Sequence, residues 1–343
     1  MATERQRVDW LQPRRIEDWF VFLSRGSLLA VTAAAVLAAV AGVSLDVETQ
    51  MLVYLVGMVV LNLPHGGFEH FENVRHRGVP FGIRYVAVYL AVLVAFVATF
   101  FVAPILALGL AFVTAIAKGG HGDLHVLDAV VGSGHLESRV QRGLAAFVRG
   151  GAIMIVPLVA QPEVFYGFSS YMLSMFDPGL TGVLWERMEL ARRLFGGCYG
   201  VALVAHLLLG YLRGGASTTW LVEAGETVLL VAYFAVVPVV VAVGLYFPLW
   251  YSLRQGGRSA VARRQAATET HSTGFVLGVL AAGGLVTAAI AAAFWLAVPN
   301  PLGNADLLPG LVAFYTIFVC IVALPHVVVG EWLDSDRGIW YVP

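Results

Sequence analysis

The chain has 343 residues, of which 59% are hydrophobic and 13% are charged, and its formal net charge is −1. Soluble domains carry about 25% charged residues, so this composition, with a mean hydropathy of +0.80, excludes an ordinary soluble protein and indicates an integral membrane protein. The lipid bilayer is therefore an expected partner. The sequence has no basic helix with residues that read bases, so a nucleic acid is not an expected partner.

Long apolar runs predict an all-α, polytopic membrane helical bundle with about 8 to 10 membrane segments, because roughly 20 apolar residues let a helix cross a bilayer. We expect segments near residues 20–44, 51–63, 83–103, 105–118, 194–212, 219–249, 273–298 and 308–328. Residues 119–149 form a polar stretch, and residues 185–193 predict a short charged helix. Pro157 and Pro162 interrupt residues 151–176, which predicts a re-entrant or paired short-helix element there.

Arginine placement predicts the orientation, because cytoplasmic loops carry an excess of Lys and Arg. Residues 1–19 and 119–149 are rich in arginine, whereas residues 45–50 contain none. We therefore expect a multi-pass protein of the cell membrane with both termini in the cytoplasm. The domains are then residues 1–19, a membrane domain of residues 20–331 and a tail of residues 332–343. A re-entrant element at 151–176 would keep the arginines of residues 185–193 on the cytoplasmic side.

The first polar constellation follows the second apolar run, where His65, Glu69 and His70 lie at a predicted membrane boundary. Polar groups at such a boundary are costly unless they have a function or a partner. Histidine with carboxylate suits iron or manganese, and a carboxylate often holds the second nitrogen of a ligand histidine. The alternative is a helix end with solvated side chains.

The second constellation is AKGGHGDLHVLD, residues 117–128. His121 and His125 are four residues apart, so they share one face if the segment is helical, and Asp123 adds a carboxylate. The alternative is a polar cytoplasmic loop.

Two later blocks place polar residues at predicted span ends. FPLWYSLRQ contains Tyr251 and Gln255, four residues apart, and LPHVVVGEWLD contains His326. Together with Lys118 they fall on the side that the arginines assign to the cytoplasm, so we expect these span ends to converge. His206 lies in mid-span instead, where an interhelical hydrogen bond is its expected role.

These blocks resemble the Brp/Blh membrane family of β-carotene dioxygenases, and haloarchaeal members in particular. The resemblance rests on LPHGGFEH, KGGHGD, FPLWYSLRQ and LPHVVVGEWLD followed by GIW, and it covers most of the chain from the second segment onward. It implies a helical bundle that holds one iron with histidines. It also implies cleavage of β-carotene at its central double bond with O2 to give retinal, which would support retinal biosynthesis.

By this resemblance His65 falls on the first iron-ligand position. Three further ligand positions are substituted in this chain, by Lys118, Tyr251 and Gln255. A lysine ammonium repels Fe²⁺, so the iron site of the family does not carry over unchanged. The pocket or the surroundings of the ligands are then expected to contain Glu69, His70, Asp123 and His326.

Three hypotheses follow. In the first, the protein is a carotenoid oxygenase whose Fe²⁺ site is rebuilt from His65, His121 and His125, with His70 or His326 as a further candidate ligand. In the second, it is a non-catalytic paralogue that binds a carotenoid or retinal without a metal. One version of the second has Lys118 forming a Schiff base with retinal and Asp123 as its counter-ion. In the third, it is a lipid-modifying enzyme or a transporter, because HGDLH is similar to one histidine box of membrane desaturases. Such enzymes need several boxes.

Overall fold

The computed structural model describes residues 15–62, 83–266 and 273–333, and these are helical with no strand among them. The predicted all-α bundle is thereby confirmed. The α-helices are α1 (Ile16–Val40), α2 (Val47–Leu55), α3 (Ile83–Val102), α4 (Pro104–Val126), α5 (Arg139–Ala160), α6 (Pro162–Ser174), α7 (Thr181–Gly214), α8 (Thr218–Val236), α9 (Val239–Tyr246), α10 (Leu253–Ala266), α11 (Thr273–Ala297) and α12 (Leu307–Leu333). The π-helical segments are π1 (Val56–Asn62), π2 (Leu127–Val131) and π3 (Phe247–Ser252).

Within the described ranges, 6 helical stretches are long and apolar enough to cross a membrane. They are Ile16–Val40, Pro104–Val131, Arg139–Ala160, Pro178–Gly214, Thr218–Val236 and Leu307–Pro325. Shorter apolar helices accompany them at Val47–Leu61, Ala87–Val102 and Gly283–Ala297. The chain is a multi-pass membrane protein, as its composition predicts.

The single span expected at residues 219–249 is wrong, because the chain turns at Val237 and Pro238. Val237 has φ −72° and ψ 134°, the extended conformation that a following proline imposes. Glu226 on α8 then pairs with Arg254 on α10, which requires the two arms to run antiparallel. The segment is a helical hairpin.

Residues 119–149 also differ from the expected cytoplasmic stretch. Helix α4 continues through Gly119 and Gly120 as far as Val126, and π2 extends it to Val131. Helix α5 begins at Arg139, where Ser138 and Gln141 form a capping box. Most of this stretch therefore belongs to two packed helices, and part of its charge is buried between them.

The short-helix element expected at residues 151–176 contains α6, but the break falls at Gln161 rather than at Pro157. Pro157 lies inside α5, and Pro162 opens α6, where its missing N–H is harmless. The Gln161 side chain donates to the Val237 carbonyl and accepts from the Val239 amide, at 2.8 and 2.9 Å. It joins the turn between α5 and α6 to the turn between α8 and α9.

The charged residues 185–193 form no separate helix, because α7 is continuous from Thr181 to Gly214. Tyr166 of α6 donates to Met188 O at one end of α7, whereas Arg213 at the other end donates to Gln141. The arginines of residues 185–193 thus lie toward the opposite end of the bundle from Arg213. The expectation that they share a side with residues 119–149 is wrong.

Helices α4 and α5 approach closely because glycines face the partner backbone. A Cβ atom at Gly120 would lie 2.0 Å from Ala146 O, and one at Gly150 would lie 2.0 Å from Ile116 O. Small residues at helix contacts are the usual means of close packing in membranes, where lipid supplies little hydrophobic driving force between helices. This contact sets the position of the polar half of α4.

Replacing Gly120 by Ala is expected to lower the free energy of unfolding by roughly 1–3 kcal/mol, because the new methyl group overlaps the α5 backbone. The matched control is Gly109→Ala on the same helix, where nothing lies within 4 Å of the added Cβ. Thermal unfolding in detergent, followed by far-UV circular dichroism, measures both. Equal melting temperatures for the two variants would contradict the close contact between α4 and α5 at Gly120.

Candidate functional site

The centre of the bundle contains charged side chains that belong to five different helices. They form a buried ionic cluster, which we define as Arg25 (α1), Asp123 (α4), Arg149 (α5), Glu223 and Glu226 (α8) and Arg254 (α10). The Arg149 side chain is 0% exposed and that of Arg254 is 1% exposed. Charges buried to this degree require partners, because removing them from water is costly.

Glu226 is the centre of the cluster. Its carboxylate accepts from Arg254 at 2.8 and 3.0 Å, from Arg149 at 2.7 Å and from Arg25 at 2.7 Å. Asp123 accepts from Arg149 at 2.5 Å and from Arg254 at 2.7 Å. Three arginines face three carboxylates, so the formal charges of the cluster cancel.

Glu223 extends the cluster to α7. His206 Nε2 lies 2.8 and 3.0 Å from the two carboxylate oxygens of Glu223, which confirms the interhelical hydrogen bond predicted for this mid-span histidine. Arg149 and Thr227 also donate to Glu223, at 3.3 and 3.0 Å. The polar contacts therefore join α5, α7 and α8.

Lys118, Tyr251 and Gln255, which the resemblance assigns to ligand positions, come together beside this cluster. The Lys118 ammonium lies 5.7 Å from the centre of the Tyr251 ring, and the Gln255 side chain donates to Gly122 O at 2.9 Å. A Cβ atom at Gly122 would lie 2.7 Å from the Tyr251 ring and 2.9 Å from Gln255 Nε2. We call Lys118, Gly122, Tyr251 and Gln255 the substituted site, and glycine is the residue that allows π3 to approach α4 there.

His121 and His125 both lie on α4, which supports the predicted shared helix face. Arg258 Nη1 lies 3.4 Å from His125 Nδ1 and 3.3 Å from Gln255 Oε1. Arg258 thus connects His125 to the substituted site.

Two of the π-helical segments meet beside the site. π1 packs against π3, and π3 packs against α4. A π-turn widens the helix by one residue per turn, and such turns occur frequently at functional sites. Tyr251 projects from π3, so the widened turn positions one of the substituted residues.

An apolar cavity of about 80 Å³ opens between α2, α4, α5, α6, α9 and α12. Its aromatic lining includes Phe112, Phe165 and Phe168. Its hydroxyl groups are already bonded within the protein, since Tyr54 pairs with Thr316 at 2.6 Å and Ser169 donates to Phe165 O. The cavity thus presents an apolar wall, as a hydrocarbon ligand requires.

One end of the cavity approaches the substituted site. Ile153 of α5 lines the cavity, and its Cδ1 lies 2.5 Å from the position of a Cβ atom at Gly119, the residue that follows Lys118. On α4 the cavity-lining residues Leu108 and Ala111 precede Lys118 by ten and seven residues along the helix. The cavity and the substituted site are therefore neighbours along α4.

The remaining predicted site residues are described only in part. His65, Glu69 and His70 lie outside the described residues, and His326 lies on α12 with its side chain outside them. In the part of the chain that is described, no group of three His, Cys, Asp or Glu side chains is placed to hold a metal. His121 and His125 alone are a partial donor set for iron.

Asp123 is not placed as the counter-ion of Lys118. Both of its carboxylate oxygens accept from arginines of the ionic cluster, and Lys118 and Asp123 are five residues apart on α4. Positions five apart on an α-helix point in different directions. The Schiff-base version that assigns this role to Asp123 is wrong on that point.

Sequence reasoning misses most of the ionic cluster. Arginine counting places Arg149 in a cytoplasmic loop and Arg254 at a span end, and hydropathy includes Glu223 and Glu226 in a long apolar run. The signal that sequence offers for this cluster is the presence of Glu223 and Glu226 inside one membrane segment, because a carboxylate in the membrane is energetically costly unless it is paired.

Comparison with known proteins gives consistent matches. A family model described as Beta-carotene 15,15'-dioxygenase matches residues 56–334. Probable beta-carotene 15,15'-dioxygenase Brp of Halobacterium salinarum strain R1 is 50% identical over 349 residues, with 97% of each chain covered, and the strain NRC-1 protein of that name gives the same figures. Probable beta-carotene 15,15'-dioxygenase Blh of strain NRC-1 is 33% identical over 327 residues, which cover 89% of this chain and 90% of that protein. No solved structure matches.

Glu226→Gln is expected to lower the free energy of unfolding by about 3–5 kcal/mol, because it leaves the buried Arg149 and Arg254 and the partly buried Arg25 with two carboxylates. Glu189→Gln is the control, since Glu189 pairs with Arg192 and Arg193 on the surface and is 50% exposed, where a pair contributes about 1 kcal/mol or less. Both are measured by thermal unfolding in detergent. A Glu226 variant as stable as the control would show that the cluster does not stabilise the bundle.

Proposed function

The chain belongs to the beta-carotene 15,15'-dioxygenase family, and we propose that it is a membrane carotenoid oxygenase that cleaves β-carotene at its central double bond with O2, giving two molecules of retinal. The observation that carries this proposal is the apolar cavity, whose lining residue Ile153 faces α4 next to Lys118 of the substituted site. On this proposal the site lies toward the cytoplasmic end of the bundle.

The spacing along α4 between the cavity lining and Lys118 suits cleavage at the centre of a symmetrical polyene. From Leu108 to Lys118 is ten residues, about 15 Å along α4. An extended half of β-carotene that lies along α4 with its ring beside Leu108 brings the middle of the molecule to the end near Lys118. The bond that is cleaved then lies beside the polar side chains.

The residues of this chain hold and shield the polyene. The apolar lining excludes water from the conjugated chain, and the Asp123–Arg254 pair fixes α4 against α10 next to the Gln255–Gly122 hydrogen bond. In the reaction the central double bond breaks and each of its carbons takes one oxygen atom of O2. Iron, which the family resemblance implies, supplies the activation of O2 when it is bound, and we assign His121 and His125 to it together with His65.

A second candidate function has a specific observation in its favour. Lys118, Tyr251 and Gln255, the substituted ligand positions, form one contiguous site with Gly122. Such a site suits a non-catalytic paralogue that binds a carotenoid or retinal without a metal.

Expression in β-carotene-producing cells, with metal analysis of the purified protein, separates the two functions. The oxygenase predicts retinal in the cells and bound iron that is lost in His121→Ala and His125→Ala. Glu189→Gln, a surface change on another helix, is expected to keep both. Co-purified carotenoid with neither iron nor retinal would refute the oxygenase and support the binding protein.

Filling the cavity tests where the polyene lies. Ala111 is 2% exposed and lines the cavity, so Ala111→Phe is expected to reduce retinal formation and carotenoid retention at least about tenfold, which corresponds to about 1.4 kcal/mol. Val113, two residues away on the same helix, is 61% exposed, so Val113→Phe adds a ring on the outer surface and is expected to change neither. Equal pigment profiles would place the carotenoid elsewhere.

A further inference from the structure

We propose that Lys118 is an aldehyde-binding site, at which the lysine amine forms an imine with the C20 aldehyde produced in the adjoining cavity. This inference rests on the proposed function, because that reaction supplies the aldehyde. It adds a step that cleavage does not require, namely covalent retention of the product.

The composition of the chain makes Lys118 unusual. It is the single lysine among 343 residues, and arginine supplies the rest of the side-chain positive charge except for protonated histidine. Arginine cannot form a stable imine with an aldehyde, whereas a lysine amine can. Apart from the N-terminal amine, Lys118 is therefore the one primary amine available for this chemistry.

The surroundings of Lys118 suit a bound polyene aldehyde. The side chain is partly buried and lies 5.7 Å from the centre of the Tyr251 ring. Its neighbour Gly119 faces Ile153, which lines the cavity. A C20 aldehyde with its ring beside Leu108 extends along α4 toward Lys118. Central cleavage creates the aldehyde at the end of the molecule that lies near Lys118. The aldehyde is therefore the group nearest to the amine.

The reaction balances without an oxidant or a reductant. The amine nitrogen attacks the aldehyde carbon, the carbonyl oxygen leaves as water after two proton transfers, and a carbon–nitrogen double bond replaces the carbon–oxygen double bond. When the imine is protonated, its charge lies near the electron-rich face of Tyr251, a contact that the ammonium already makes. Asp123 takes no part, because it is bonded to Arg149 and Arg254.

Borohydride trapping tests the proposal on the purified full-length protein. All-trans-retinal is added, the imine is reduced to a stable amine, and proteolytic peptides are mapped by mass spectrometry. We expect a saturable adduct on the peptide that contains Lys118. We expect its loss in Lys118→Arg, which keeps the charge but cannot form the imine. We also expect a strong reduction in Ala111→Phe and none in Val113→Phe.

An unmodified Lys118 peptide in the wild-type protein would overturn the proposal, as would an adduct confined to the N-terminal amine. An adduct of equal yield in Ala111→Phe would also overturn it, because that amine would be reacting from solvent and not from the cavity. Cells that make retinal while Lys118 stays unmodified refute this inference and leave the oxygenase in place. An adduct in a protein that makes no retinal supports the site and refutes the oxygenase.

Discussion

The position of every functional element in this protein depends on a carboxylate buried among three arginines. Glu226 lies within a membrane-spanning helix, and it accepts hydrogen bonds from Arg25, Arg149 and Arg254 on three other helices. In a medium that cannot solvate charge, the carboxylate and the guanidinium groups are tolerable only together. Any displacement of α1, α5, α8 or α10 would separate charges, so the cluster restricts the bundle to one arrangement.

The same helices carry the ionic cluster on one side and the substituted site on the other. Asp123 and Arg254 belong to the cluster, while their neighbours Gly122 and Gln255 form the contact between α4 and the chain that follows π3. The Arg254–Asp123 hydrogen bond of 2.7 Å in the cluster is therefore one residue away, on both helices, from the Gln255–Gly122 hydrogen bond of 2.9 Å in the site. These two bonds hold Tyr251 opposite Lys118, although neither residue takes part in them.

Hydropathy predicts the helices and the membrane, because each apolar run carries its own signal within about 20 residues. The break before Pro238 is also readable in principle, since proline forces the preceding residue into an extended conformation. The ionic cluster is not readable in the same way, because its partners are separated by 26 to 201 residues. Sequence analysis therefore counts Arg149 and Arg254 as cytoplasmic charges, because an arginine at a span end cannot be distinguished by sequence from an arginine buried beside a carboxylate. The role of His206 is predicted correctly because a polar group in mid-span can be satisfied only by another helix.

The neutrality of the cluster also determines the electrostatics of the substituted site. Because Asp123 is shared by Arg149 and Arg254, its negative charge does not offset the ammonium of Lys118. A cation placed next to Lys118 is repelled by its ammonium group. A neutral polyene is not repelled by the ammonium. On the proposal above, an aldehyde converts the amine to an imine. On the proposed function, lysine at a position where the family resemblance implies a ligand histidine favours binding of a carbonyl group over binding of a metal.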